Sequence, residues 1–293
     1  MPELPDLAIL ADALDEALAS RPLVGSKIKE SLVLRGTAAE LEAIEGQLLA
    51  SVRRRGKFLV FQFERDRIVF NPMLTGRPGL AVAGSKAWPQ WAAALFFGPM
   101  REDTRTGRVA PEWPGPEADW LPRRDLGVEL RYRDATRMGK IYLAPAGLAR
   151  PIAGWEEQGP DADDPKLTLG DWRTRIGRYS GELKNLLRNQ VFVAGIGNAY
   201  SDEILWDARL APFRKRSSLA ADEVDDLYVA VRAVLPWAIG QLHDLVPPRL
   251  EVEQREFLKV HRKGGQPCPR CGTKLSQVSA GGFDTTFCRG CQR

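Results

Sequence analysis

Behind the initiator methionine the chain reads Pro2-Glu3-Leu4-Pro5, so removal of Met1 would expose a secondary amine next to a carboxylate. Such a pair is a nucleophile with its acid/base partner. A prolyl amine attacks an aldehyde-level carbon to give an iminium that needs no further proton loss. An α-amino group ordinarily titrates near about 7.7–8.0, so part of it is neutral at cellular pH. The same residues also suit a plain reading in which Pro5 occupies the first turn of a helix. A second constellation lies at the other end, where Cys268-x2-Cys271 and Cys288-x2-Cys291 are separated by sixteen residues. Two such knuckles predict a tetrahedral four-thiolate zinc site, structural because no ligand position is left for water. A third is Gly195-Ile196-Gly197-Asn198-Ala199-Tyr200, in which two glycines before a helix present backbone N–H groups as an anion site.

The elements around these residues follow from periodicity. Residues 6–19 carry Leu7, Leu10, Leu14 and Leu18 at helical spacing, which would tether the N-terminal amine. Thr37 and Glu40 form a capping-box pattern ahead of Leu41 and Ile44. Strand signals follow at 57–63, 68–70, 92–97 and, in clean alternation, 128–133. Residues 98–125 are dense in Pro, Gly and charge and read as an extended loop or insertion. Residues 154–165, with five acids and two prolines, are the linker candidate. Helical patterns take over beyond it, around Leu183, at 200–206 and at 221–242, where Pro236 predicts a kink.

Bulk properties narrow the partners. At 293 residues the chain exceeds one typical core, so several domains are expected. Residues 1–50 hold nine acids and four bases, whereas residues 249–293 hold nine bases and four acids, so the net charge of +4 understates a basic C-terminal surface. A surface of that kind suits a polyanion, although surplus Lys and Arg also serve as a solvated face. Neither a signal peptide nor a membrane span is expected, which points to a soluble, cytoplasmic protein. All four cysteines fall in the last 26 residues, against a distributed disulfide framework. With only His243 and His261, a Ser-His hydrolase or a multi-histidine metal site is hard to build.

The PELP terminus, the GIGNAY junction and the C-terminal four-cysteine segment, in that order, resemble the formamidopyrimidine-DNA glycosylase/endonuclease VIII family over nearly the whole chain. The resemblance implies an α+β multidomain protein. It would have an N-terminal β-sandwich with flanking helices (1–153), a linker (154–165), a helix-two-turn-helix DNA-binding domain (166–260) and a β-hairpin zinc finger (261–293). DNA would lie in the cleft between domains. It implies a base-excision-repair glycosylase with abasic-site lyase activity, acting as a nucleoid-associated monomer on double-stranded DNA with damaged bases or abasic sites. In that family the N-terminal proline attacks C1′ and the glutamate manages protons, roles that fall to Pro2 and Glu3. Lys57, in Arg54-Arg55-Gly56-Lys57-Phe58-Leu59, matches a strand lysine that holds phosphate beside the lesion, and Asn198 a turn asparagine on the same backbone. Glu203 matches an acidic residue placed with the catalytic set, and Lys184 a lysine facing the pocket.

An enzyme that extracts a base needs phosphate clamps on both sides and an apolar plug for the vacated stack. Asp134-Ala135-Thr136-Arg137-Met138-Gly139 resembles the wedge loop of the family, with Arg137 on DNA and Met138 where an aromatic usually sits. Leu74, before Thr75-Gly76, falls at the second void-filling position. Lys263, Arg270, Lys274 and Arg289 would decorate the finger and suit phosphate contacts. Three departures stand out. Thr136 replaces the arginine that contacts the orphaned base, Phe283 replaces the finger arginine that holds lesion-flanking phosphate, and residues 246–251 lack the glycines of a lesion-capping loop. Threonine makes no bidentate base contact and phenylalanine donates nothing. A damaged-DNA-binding member with weak turnover is therefore the alternative to a full enzyme.

Overall fold

The computed structural model describes residues 1–101, 120–247, 249–280 and 282–293. The chain divides into two compact units. The first comprises residues 1–2, 6–153 and 241–254, and the second 3–5, 154–240 and 255–293.

The first unit begins with α1 (Leu4–Leu18), whose Leu7, Leu10, Leu14 and Leu18 are all buried, as their spacing demands. Two sheets follow. One pairs β1 (Leu23–Ile28), β7 (Trp91–Phe97), β8 (Val128–Arg133) and β6 (Arg77–Val82), in that order. The other runs β2 (Leu34–Arg35), β9 (Lys140–Ala144), β5 (Arg67–Asn71), β4 (Phe58–Phe63) and β3 (Leu49–Arg55). Aromatic contacts join the inner faces: Phe63 on β4 stacks on Phe97 of β7 at 6.4 Å, and Phe70 on β5 meets Tyr132 of β8 edge-on at 5.5 Å. A sheet with one apolar face must bury it, and here each sheet buries the other. The capping box of Thr37 and Glu40 is formed in full at α2 (Ala38–Glu42).

Within the expected 98–125 loop, residues 102–119 lie outside the described residues. Its roots are held by the buried Arg21, whose guanidinium donates to the carbonyls of Gly98, Arg123 and Leu126. Five carbonyl acceptors, including Ala17 and Pro122, satisfy a charge that would otherwise be costly to bury.

The second unit is helical, built from α3 (Leu169–Ile176), α4 (Leu183–Arg188), α5 (Asn198–Asp207) and α6 (Ala221–Leu245), whose last turn counts with the first unit. Trp172, Phe192, Tyr200 and Leu235 lie at its core together with Leu4. The helix α6 runs on through Pro236, the position expected to kink it. The chain closes with the hairpin of β10 (Ser276–Ala280) and β11 (Phe283–Phe287). Around it Trp206, Val260 and Leu275 pack against Cys268 and Cys288 in a small separate core. No helix among the described residues is long and apolar enough to cross a membrane.

Candidate active site

The backbone N–H groups that open α5 hold an anion, and that anion belongs to the chain itself. The Glu3 carboxylate accepts from Gly197 N at 2.7 Å, Ala199 N at 2.8 Å and Tyr200 N at 3.2 Å, and Glu3 is only 3 % exposed. A negative charge at a helix N-terminus is favoured by the unpaired amides and the helix dipole. The glycine pattern therefore serves an internal carboxylate where the sequence suggested an open anion site. A Cβ on Gly197 would lie 2.5 Å from Glu3 Cδ, and one on Gly195, whose φ is +101°, would lie 2.7 Å from Leu4 Cβ. Leu4 N donates to Gly195 O at 2.9 Å, completing the seat. A carboxylate has about four lone-pair sites. Three amides take up most of that capacity and fix the orientation of the carboxylate.

Pro2 is buried in the first unit, lining a small cleft with Asp6, Arg77, Leu250 and Glu253. Arg77 Nη2 pairs with Glu253 Oε1 at 2.6 Å, and the amine of Met1 lies 3.8 Å from the same oxygen. Neither Arg77 nor Glu253 stood out in the sequence. The only local signal was the adjoining Leu74-Thr75-Gly76.

Lys184 is buried, donating from Nζ to Asp202 Oδ1 at 2.6 Å and Asp284 O at 3.0 Å. Burial pushes its pKa down, and the Asp202 carboxylate opposes that shift. Asn198 Nδ2 donates to the same Asp284 carbonyl at 2.9 Å, while its Oδ1 is buried and accepts nothing among the described residues. Asp202 also accepts from Thr286 N and lies 2.8 Å from His261 Nδ1, so His261 is a packing histidine at the root of the finger. Glu203 is fully buried, and both its oxygens accept backbone N–H groups, from Lys259 at 2.9 Å and from Val260 and His261 at 2.8 Å. Burial raises its pKa against the pull of those three donors. It clamps the segment leading into the finger.

Within the first unit, Lys57 stands in the two-residue turn between β3 and β4, where the sequence placed it on a strand. Arg55 pairs directly with Phe58, and Gly56 supplies the positive φ of +55° that such a turn needs at its first position. The wedge loop is stitched from behind. The Asp134 carboxylate accepts from Gly139 N at 2.7 Å, from Thr136 N and Oγ1 at 3.2 and 3.1 Å, and from the Thr75 hydroxyl. Thr136 Oγ1 is also 2.8 Å from Thr75 Oγ1, so the hydroxyl at the place expected to meet the orphaned base ties the loop to Thr75. Lys140 Nζ donates to the carbonyls of Arg137, Met138 and Gly139. The stitching leaves Leu74 and Met138 with 42 % and 43 % of their surface in solvent. Arg137, at a positive φ of +57°, pairs with Glu30 at 3.2 Å.

The four cysteine sulfurs lie within 4.8 Å of one another, with Cys268 and Cys291 3.8 Å apart and Cys271 and Cys288 3.4 Å apart. Sulfurs about 2.3 Å from a zinc form a tetrahedron with edges of about 3.8 Å, so the donor set fits the ion. Burial disfavours ionising Cys268, but the Trp206 indole N–H and the backbone N–H groups of Arg270 and Cys271 outweigh it and bring the thiol down to about 6. A sulfur prepared as thiolate is what a metal ligand requires. Arg270, one of the basic residues of the finger, stacks on Trp206 at 4.0 Å and donates to the Trp206 carbonyl at 2.7 Å.

Known proteins match this arrangement along the chain. Residues 1–141 match the formamidopyrimidine-DNA glycosylase N-terminal domain, 158–244 the H2TH domain of the same enzymes, and 265–293 the zinc finger found in FPG and IleRS. The formamidopyrimidine-DNA glycosylase of Thermomicrobium roseum is 30 % identical over all of this chain and 99 % of its own, and that of Lactobacillus delbrueckii subsp. bulgaricus 26 % over the full length of both. Among solved structures, wild-type Lactococcus lactis Fpg in complex with DNA containing N7-benzyl-Fapy-dG superimposes with a TM-score of 0.82 over all of both chains, at 22 % identity. The same enzyme non-covalently bound to abasic-site DNA gives 0.79 over 99 % of each, also at 22 %. The cluster of four cysteines is the structural zinc site of the matched finger, and the chain belongs to the formamidopyrimidine-DNA glycosylase family of base-excision-repair enzymes.

Proposed function

We propose that the chain excises damaged bases from double-stranded DNA and then cleaves the resulting abasic site, working as a monomer in the nucleoid-containing cytoplasm. The observation that carries the reading is the seat of Glu3, an acid/base group held by three backbone amides one residue after Pro2. In the proposed reaction the Pro2 amine, freed by loss of Met1, attacks C1′ and the C1′–N bond to the damaged base breaks. The base leaves with a proton, the C1′–O4′ bond then breaks with O4′ taking a second proton as the ring opens, and nitrogen retains the opened sugar as an iminium. Loss of a C2′ proton then expels the 3′ phosphate. Glu3 relays these protons.

Lys57 and Asn198 hold phosphate on this reading, Leu74 and Met138 fill the vacated stack, and Arg137 exchanges its Glu30 partner for DNA. Lys184 and Glu203 act by position, Lys184 by joining α4 to the hairpin and Glu203 by fixing the entry to the finger. Borohydride is expected to trap a protein–DNA adduct on abasic-site DNA, because reduction fixes an iminium that otherwise hydrolyses. Pro2→Gly should trap far less. Full trapping by protein whose N-terminus is blocked by an uncleaved tag would overturn the assignment.

A further inference from the structure

Position 283, where the family resemblance calls for an arginine, is covered by one from elsewhere in the chain. Arg188 closes α4, and its guanidinium carbon lies 3.8 Å from the centroid of the Phe283 ring. Phe283 opens β11 and is 40 % exposed, so the stacked pair stands at the surface. Its neighbours Lys184 and Asn198 have each committed a donor to the Asp284 carbonyl. Arg188 has not. Among the described residues its guanidinium donates no hydrogen bond, and none of its nitrogens is a sealed, unpaired atom, so the donor edge faces solvent. Burial pushes its pKa down and the carboxylates of Glu3 and Asp202 pull it back up, which puts the group in electrostatic reach of the Glu3 seat.

We infer that Arg188 supplies the phosphate contact that this chain's finger lacks, its guanidinium held flat on Phe283 and turning its N–H edge to a phosphodiester of the DNA. An aromatic ring satisfies the face of a guanidinium and leaves the coplanar donors free for two oxygens of one phosphate. The side chain at position 283 then keeps a part in phosphate binding without donating anything itself. The inference rests on the DNA-repair reading above.

The test is equilibrium binding to a duplex carrying a tetrahydrofuran abasic analogue, measured across a range of salt concentrations. Arg188→Met keeps an apolar contact to the ring and removes the donors. It should make the plot of log affinity against log salt shallower by about 0.9 and weaken binding on the order of tenfold at low salt. Bound metal and unfolding temperature should stay as in the parent. The double exchange Arg188→Phe with Phe283→Arg, which returns one guanidinium to the same stack, should recover the slope. A folded, metal-loaded Arg188→Met protein with the parental slope overturns the inference. If that variant loses its metal, the exchange decides: a recovered slope supports the inference and a folded exchange variant without it overturns it. Failure of the parent protein to bind the analogue or to be trapped would instead sink the repair reading itself.

Discussion

Glu3 and Met138 are both placed by the family resemblance against the same nucleotide, yet the molecule holds them in opposite ways. Glu3 is almost wholly buried and each of its oxygens meets backbone N–H groups. Met138 has 43 % of its surface in solvent, and its loop is fastened from behind by Asp134, Thr136 and Lys140. A proton carrier must be oriented before the substrate arrives, because a displacement of about 1 Å can cost on the order of a hundredfold in rate. A plug must be free to enter a gap that exists only once the base has left. Backbone amides give the first rigidity, and a flexible thioether on a braced loop gives the second freedom.

The comparison breaks most sharply at Gly197. An added Cβ would collide with Glu3 Cδ at 2.5 Å. Gly197→Ala is expected to slow base excision at least about a hundredfold in single-turnover assays, while the finger keeps its metal. Unchanged excision by a folded variant would show that the seat does not orient the reacting group. Chelation comes next. Four thiolates holding zinc should provide much of the folding free energy of a segment whose own core is as small as Trp206, Val260 and Leu275. Removing the metal, expected at about one per chain, should melt the hairpin that meets Lys184 and Asn198 and lower DNA affinity. Metal-free protein with an ordered hairpin and parental affinity would contradict this.

Met138→Ala should slow excision of a paired lesion by about tenfold but leave cleavage of a preformed abasic site within about twofold, because only the first needs the stack to be opened. Equal losses on both substrates would mean that the loop positions the reacting sugar. The smallest effect is expected at Thr136, whose hydroxyl faces Asp134 and Thr75. The parent should excise a lesion opposite C and opposite A at rates within about tenfold, and Thr136→Arg should introduce about 1–3 kcal/mol of preference for one opposite base. A parent that already prefers C by more than tenfold must read the orphaned base with another residue.

What could be read along the chain was whatever depends on near neighbours. The leucines of α1, the Thr37 box, the alternation of 128–133 and the paired CxxC knuckles all specify local geometry, and each stands where its spacing puts it. Lys57 shows the margin of that reading. A strand pattern ran through it, but Gly56 bends the chain, and the pairing of Arg55 with Phe58 leaves the lysine in the turn.

Tertiary structure alone decided which distant groups meet. The GIGN segment announced unpaired amides but not that Glu3, 194 residues away, would occupy them. Nothing local marks Glu253 as the partner of Arg77, Asp134 as the knot that holds the Thr136 hydroxyl, or Arg188 as the cation above Phe283. Periodicity and ligand spacing are properties of a few consecutive residues, so composition and order suffice for them. A buried carboxylate or a stacked guanidinium is satisfied by whatever the folded chain brings alongside it, and that proximity arises only when the elements of each unit have packed.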